Sequence, residues 1–192
     1  MFSTQLFKSE HLILNGYDLE KDAPIEAGFT HDLVYAWKFN PEIPAHPYSA
    51  FEVKKRREEQ LKKAAEDDSS CVYFAIRTRE ERRFVGVLAF PWVFWSNREG
   101  GMTILIGSEE DRAQYFDEVM KMALRYTFEE LHLYFLNTVS AEFEPETLAA
   151  YQNAGMKAVV RQKDMLYRHG RYWDRLMMGI LQEEWLNKAE RE

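Results

Sequence analysis

The sequence predicts a mixed α/β protein in which helices cover both faces of a central, mostly antiparallel sheet of about seven strands. A block of strands joined by tight turns is followed by alternating strands and helices, and the chain closes on a β-hairpin. This order requires a sheet that contains both strand orientations. With 192 residues and 46% hydrophobic content, the chain can bury one sizeable core, so we expect a single domain over residues 1–192.

The first elements are predicted from short apolar runs and capping residues. Residues 12–14 form a short strand that Gly16 ends, and Asp18 is suited to cap a helix through residue 27. Residues 51–66 form a polar helix in which Glu58 and Glu59 precede lysines by four positions, the favourable order for helical ion pairs. We interpret the mixed charges of this helix as a solvated face, with an anion contact as the alternative.

The later elements follow from changes in periodicity. Residues 71–76 and 84–95 are strands separated by a polar turn, and Gly100 and Gly101 predict a turn before a strand at 102–106. Apolar residues then recur at helical spacing from residue 112 to 131. The remaining predicted elements are a strand at 134–139, a helix from Pro145 to Gly155 and strands 158–168 and 172–181 around a His169–Gly170 turn.

Composition narrows the classes of partner. The net charge of −7 and the isoelectric point near 5.4 argue against nucleic acid or an anionic membrane, which leaves a small molecule, a peptide or a protein, with a homodimer as an open alternative. Cys71 is the only cysteine and the histidines lack metal-ligand spacing, so we expect neither a disulfide nor a metal. No signal peptide or membrane-length apolar run is present, and we therefore expect a cytoplasmic protein.

Short motifs follow one another from end to end of the chain. They are S-E-H-L-I-L at 9–14, D-A at 22–23, W-K-F-N-P-E at 37–42, F-A-I at 74–76 with Gly86, Y-T-F-E-E-L at 126–131, Y-Q-N-A-G-M at 151–156, and G-R-Y-W-D at 170–174 followed by Met178, Leu181 and E-W at 184–185. In this order and spacing, the chain resembles the GNAT acyltransferase superfamily, in the branch of ribosomal-protein N-acetyltransferases (RimJ/RimL-like) and their small-molecule relatives.

The resemblance implies transfer of an acetyl group from acetyl-CoA to a small-molecule amine or a peptide N-terminus, without a metal or a covalent intermediate. The pyrophosphate loop of the family reads [Q/R]-x-x-G-x-[G/A]; here Arg112 keeps the first position, whereas Tyr115 and Asp117 replace the two small residues. The candidate cofactor-binding residues are Ile104, Ile106, Arg112, Ala113, Gln114, Tyr115, Phe116 and Asp117.

The replacements leave two interpretations of the loop open. Tyr115 would occupy the approach path of the cofactor, and Asp117 would place a negative charge beside the pyrophosphate. Ser108 and Asp111 form a capping box, and the acidic first turn stabilises a helix start without any ligand. The stretch is therefore either an altered acetyl-CoA site or a plain helix start. If CoA binding is lost, the chain is a catalytically silent GNAT-fold binding or regulatory protein.

The resemblance also implies catalytic and acceptor-binding residues. Tyr151 stands where the family has the tyrosine that protonates the thiolate, and the alternative is a tyrosine packed in the core. Glu99 is the nearest carboxylate for a general base acting through water, and the alternative is a solvated turn residue. Trp37, Trp92 and Trp95 are candidates for an apolar substrate groove, with burial in the core as the alternative.

Overall fold

Seven strands and six α-helices make up the part of the chain that the computed structural model describes, residues 5–41, 43–66 and 70–189. The strands are β1 (Leu12–Asn15), β2 (Val72–Thr78), β3 (Phe84–Phe94), β4 (Glu99–Ile106), β5 (Phe135–Ala141), β6 (Lys157–Arg168) and β7 (Arg171–Leu181). The helices are α1 (Asp22–Phe29), α2 (Leu33–Phe39), α3 (Ala50–Ala64), α4 (Glu109–Arg125), α5 (Pro145–Asn153) and α6 (Gln182–Ala189), and a π-helical turn, Tyr126–Glu130, extends α4.

All seven strands belong to one sheet with the order β1-β2-β3-β4-β5-β7-β6. Every neighbouring pair is antiparallel except β4 and β5, which are parallel. Pairing between β4 and β5 covers only Glu99–Gly101 opposite Phe135–Asn137, and within the described residues the two strands diverge beyond that point. The predicted mixed, mostly antiparallel sheet is confirmed, and its one parallel junction opens a gap at the centre of the molecule.

Helices cover both faces of the sheet and bury two apolar clusters. On one face α4 packs its inward side, including Val119 and Met120, against the even-numbered residues of β4. On the other face α1, α2 and α3 bury Ala23, Tyr35 and Val53 against the sheet. Side chains from the helices on either face of the sheet can therefore reach the gap between β4 and β5.

Two glycines lie inside β4 instead of forming the predicted turn at residues 98–101. The strand begins at Glu99, and a Cβ added to Gly101 would lie only 2.4 Å from Nε1 of Trp92, so the close packing of this ring on the strand accounts for glycine at that position. Opposite, β3 contains a bulge between Ala89 and Trp92, which includes Pro91.

Side-chain caps set the starts of α1 and α4. α1 begins at Asp22, later than expected, because the Asp18 carboxylate accepts hydrogen bonds from Glu20 and Lys21 and so caps the preceding turn. α4 begins at Glu109, as the expected pairing of Ser108 with Asp111 indicates, since the Ser108 side chain accepts from the Asp111 N–H.

The solvated-face interpretation of the α3 charges is correct for Glu58, which pairs with Lys62 at 3.0 Å, but it is wrong for Arg57. Arg57 is 4% exposed and forms an ion pair with Glu26 of α1, which is fully buried. Tyr17 and Tyr35 donate hydrogen bonds of 2.6 and 2.8 Å to the same carboxylate. This buried cluster fixes α3 and α2 to α1, because Tyr35 belongs to α2.

Candidate active site

A cavity of about 250 Å³ lies where β4 and β5 diverge. It is lined by parts of α2, β3, β4, β5, α5, β6 and β7, namely Trp37, Lys38, Pro41, Pro91, Trp92, Gly101, Met102, Thr103, Ile104, Asn137, Thr138, Val139, Tyr151, Leu166 and Arg175. Since α2 and α5 cover opposite faces of the sheet, the cavity extends into the sheet itself. Below we call it the central cavity.

Tyr151 of α5 brings a phenol hydroxyl to the central cavity. Its side chain is 1% exposed and packs against Phe116 of α4 in a tilted arrangement, with 5.5 Å between the ring centroids. Thr138 of β5 donates a long hydrogen bond of 3.5 Å to the Tyr151 oxygen. Because both groups are hydroxyls and either can donate or accept, this contact leaves the phenol able to donate its proton to another group in the cavity.

A second opening, the helix-start groove, has a volume of about 770 Å³ and lies between α4 and the beginning of α5. Its lining is strongly acidic and consists of Asp32, Val34, Glu109, Arg112, Ala113, Phe116, Asp117, Phe143, Glu144, Pro145, Glu146, Thr147 and Ala150. Arg112 is the only cation among these lining residues, and its guanidinium contacts the Asp32 carboxylate at 3.3 Å.

Three side-chain contacts form a wall between the central cavity and the helix-start groove. The rings of Trp37 and Phe143 lie 5.6 Å apart, and Lys38 Nζ lies 2.9 Å from the buried Glu144 carboxylate. The third contact is the Phe116–Tyr151 pair. Each contact joins one lining residue of the central cavity to one of the groove, so movement of α2 or of these side chains would connect the two spaces.

The start of α4 is a capped helix whose backbone already forms helical hydrogen bonds. The Arg112 N–H donates to the Ser108 carbonyl at 2.9 Å, so the stretch that follows it lies inside the helix and not in a loop. The Asp111 carboxylate accepts two hydrogen bonds from Arg83, at 2.7 and 2.8 Å, which hold its pKa below the ordinary range. Helix geometry therefore leaves the N–H groups of Glu109 and Glu110 as the unpaired donors of the first turn.

The predicted cofactor residues lie in different parts of the structure. Arg112, Ala113, Phe116 and Asp117 line the helix-start groove, and Gln114 is exposed. Ile104 lines the central cavity, while Ile106 is buried and its carbonyl accepts a hydrogen bond from Arg112. Tyr115 is 8% exposed and belongs to the apolar core under α4, so the expectation that its side chain fills the approach path is wrong. Phe116, one residue later, is the aromatic side chain of α4 that lines the groove.

The predicted substrate and base residues are brought together only in part. Trp37 and Trp92 both line the central cavity, whereas Trp95 follows the end of β3 and is 52% exposed. Glu99 is the first residue of β4 and accepts a hydrogen bond of 3.3 Å from Asn97. It lies two residues before Gly101, on the same face of the strand and about 7 Å away along it.

Several lining residues were not predicted from the sequence. Asn137 and Thr138 are buried polar residues next to apolar ones in β5, a signal that could have marked them. Lys38 and Arg175 carry no such signal, because arginines and lysines are common on exposed strand and helix positions. Only the packing of α2 and β7 against the diverging strands shows that they reach the cavity.

Within residues 5–41, 43–66 and 70–189, no three His, Cys, Asp or Glu side chains are placed to hold a metal ion. None of the helices in the same ranges is long and apolar enough to cross a membrane.

A family model described as acetyltransferase (GNAT) domain matches residues 11–157, which is well over half of the chain. The chain belongs to the GNAT acetyltransferase family. A search of curated protein sequences gave no match.

Solved structures of spermidine N-acetyltransferases are similar to this GNAT chain in fold. A chimera of the Vibrio cholerae enzyme and hSSAT has a TM-score of 0.75 at 20% identity, covering 93% of this chain and 99% of that one. The Vibrio cholerae enzyme in complex with CoA and spermine has a TM-score of 0.74 at 21% identity, with 92% and 98% covered. A dodecameric form of the enzyme gives 0.71 at 19% identity, with 93% and 98% covered.

Proposed function

We propose that this GNAT protein is an acetyl-CoA-dependent N-acetyltransferase that transfers the acetyl group to a primary amine by direct attack in a ternary complex. The observation that carries the proposal is the central cavity, which lies between the unpaired parts of β4 and β5 and contains the Tyr151 hydroxyl. Positioning of two substrates in one gap, together with a proton donor, is the chemistry that acyl transfer to an amine requires.

Acetyl-CoA supplies the activated acyl group, and the remaining roles belong to residues of the chain. The edge of β4 beyond Gly101 offers unpaired backbone groups near Ile104 and Ile106, which would hold the pantetheine arm and polarise the thioester carbonyl. Tyr151 would protonate the departing thiolate. Glu99 is our candidate base, and its distance from the cavity requires an intervening water.

The helix-start groove favours a second candidate function. The β4 edge fits the pantetheine arm, whereas the groove presents Glu109, Asp117 and Glu146 where the pyrophosphate would lie, with Arg112 already paired to Asp32. Carboxylates repel phosphates and compete for the helix-start N–H groups. A catalytically silent GNAT-fold binding or regulatory protein is the alternative that this observation supports.

The motif order places the protein, in our proposal, in the RimJ/RimL-like branch. The acceptor is then a small-molecule amine or a peptide N-terminus, and a homodimer in the cytoplasm is the assembly to test first.

Calorimetric titration distinguishes the two functions. The intact protein is titrated with acetyl-CoA and, separately, with S-acetylpantetheine, which keeps the thioester arm and lacks the phosphates. Micromolar binding of acetyl-CoA supports the enzyme, and similar affinities for both compounds would show that the groove contributes nothing. Absence of binding of either compound at millimolar concentration would refute the enzyme and leave the silent alternative.

A further inference from the structure

Arg175 of β7 lines the central cavity without an ion-pair partner. Its side chain is partly buried, and no carboxylate lies within 4.0 Å of it across the described ranges 5–41, 43–66 and 70–189. The neighbouring carboxylate, Asp174, is occupied by Arg161 and by the N–H of Asp164 at 2.9 Å. No side-chain hydrogen bond of Arg175 is formed within the described residues either, so its guanidinium donors are available to a ligand of the cavity that Arg175 lines.

The remaining lining of the central cavity adds no negative charge. Lys38 is its other ionised side chain, and the positive charge of Lys38 is balanced by Glu144 on the far side of the wall. No aspartate or glutamate is among the described lining residues. With that pair neutral, Arg175 leaves the cavity with a net positive charge of about one unit.

A second ammonium group, in addition to the reacting amine, would meet Arg175 as a like charge, which costs affinity in a partly desolvated site. A carboxylate would instead form a charge-assisted, bidentate contact with the guanidinium. The cavity volume of about 250 Å³ is below the common range of about 300–1,000 Å³ for drug-sized ligands, which limits the acceptor to a small molecule.

We infer that the acceptor of this enzyme is a small amine that also carries a carboxylate, which Arg175 binds, and not a polyamine. The inference rests on the proposed acetyltransferase function and specifies its substrate class. It separates this protein from the spermidine N-acetyltransferases that share its fold, because a polyamine places a second ammonium where this cavity has a guanidinium.

Three acceptors of equal chain length test the inference on the intact protein: 5-aminopentanoate, 1-aminopentane and 1,5-diaminopentane. They share the reacting amine and differ only in the distal group. We expect 5-aminopentanoate to have a kcat/KM with acetyl-CoA at least tenfold above both others. Arg175→Met should lower that value about 10- to 100-fold, since a hydrogen bond to a charged group is lost, and should remove most of the preference for 5-aminopentanoate over 1-aminopentane.

Direct calorimetric binding of the three probes, without acetyl-CoA, gives a readout independent of turnover. Arg175→Lys keeps the charge and should retain part of the preference, and Arg79→Met, at the exposed β2–β3 turn, should retain all of it. Binding of 5-aminopentanoate that depends on Arg175, without acetylation of any probe, would refute the acetyltransferase and keep the binding site. Equal use of the three probes, a preference for the diamine, or no binding at all would overturn the inference.

Discussion

Replacing Arg57 by methionine should destabilise the protein far more than removing an exposed charge of α3. Arg57→Met removes the cation from the buried cluster and leaves the Glu26 carboxylate with only its tyrosine donors, Tyr17 and Tyr35. Removing one partner of a buried ion pair costs about 3–5 kcal/mol, because the other charge stays desolvated. A domain of this size has a free energy of unfolding of about 5–15 kcal/mol, so about a fifth of it or more is at stake.

The cost should depend on pH with a definite sign. Burial alone raises the pKa of Glu26, but the Arg57 guanidinium and the tyrosine hydroxyls outweigh burial and hold the pKa below its ordinary value. In the natural protein the ionised Glu26 therefore stabilises the folded state. This stabilisation is present above the unfolded-state pKa, about 4.3, and is lost as the pH falls through the lower folded pKa. Without Arg57, burial dominates and raises the Glu26 pKa. The variant therefore gains stability as the pH falls from 7 towards about 4.5, and the gap to the natural protein narrows.

Urea unfolding of both proteins at pH 7 and pH 5 measures this effect, and Glu58→Gln is the matched control. Glu58 forms an exposed ion pair on the same helix, worth about 0.3–0.5 kcal/mol. In a parallel thermal unfolding experiment at pH 7, we expect the midpoint to fall by about 6–20 °C for Arg57→Met. Each kcal/mol of lost unfolding free energy lowers the midpoint of a domain of this size by about 2–4 °C. A loss no larger than that of Glu58→Gln, or one that does not change between the two pH values, would refute the reasoning.

Three further predictions concern the sheet, the groove and the cavity. Gly86→Ala places a Cβ 2.0 Å from the Leu105 carbonyl oxygen and should cost more than about 3 kcal/mol of unfolding free energy, whereas Gly16→Ala, with no atom within 4 Å, should cost less than about 0.5 kcal/mol. Asp117→Asn should raise the affinity for acetyl-CoA about two- to tenfold in calorimetry, an effect that shrinks at high salt because it is electrostatic. Tyr151→Phe should lower kcat about 10²- to 10³-fold at unchanged KM in steady-state assays, because the phenol acts on the leaving thiolate.

Each of these has a contradicting result. Equal unfolding midpoints for the two glycine variants would mean that β4 moves away from β3 at little cost. An affinity for acetyl-CoA that does not change in Asp117→Asn would place the phosphates outside the helix-start groove. A Tyr151→Phe variant with full kcat would identify Tyr151 as a core residue alone.

Local patterns were sufficient for elements that depend on neighbours in the chain. The hairpin of β6 and β7 around His169 and Gly170 was predictable because the turn residues adopt positive φ, 52° and 75°, which glycine tolerates best. The helix from Pro145 was equally clear from its first residue. The strand placement of Gly100 and Gly101 was not, since the side chains that crowd these positions, Leu133 at Gly100 and the Trp92 ring at Gly101, come from other parts of the chain.

The candidate site shows the same division. Tyr151, Trp37 and Trp92 were found through motifs and residue type, and the cavity brings all three together. The orientation of Tyr115 towards the core depends on where α4 begins, and that start is fixed by Ser108 and by the Arg83–Asp111 pair across elements.

The sequence by itself determined the fold class, the family and the acidic character of the helix start, because these depend on periodicity, motif order and the charges of neighbouring residues. Only the tertiary structure decided which charges are buried and which face the cavity. Arg57 ends a run of basic residues in a polar helix, and Arg175 lies in a strand with no distinguishing motif around its charge. One is neutralised by a buried carboxylate and the other is left without an ion-pair partner among the described residues, since ion pairing depends on distances between segments far apart in the chain.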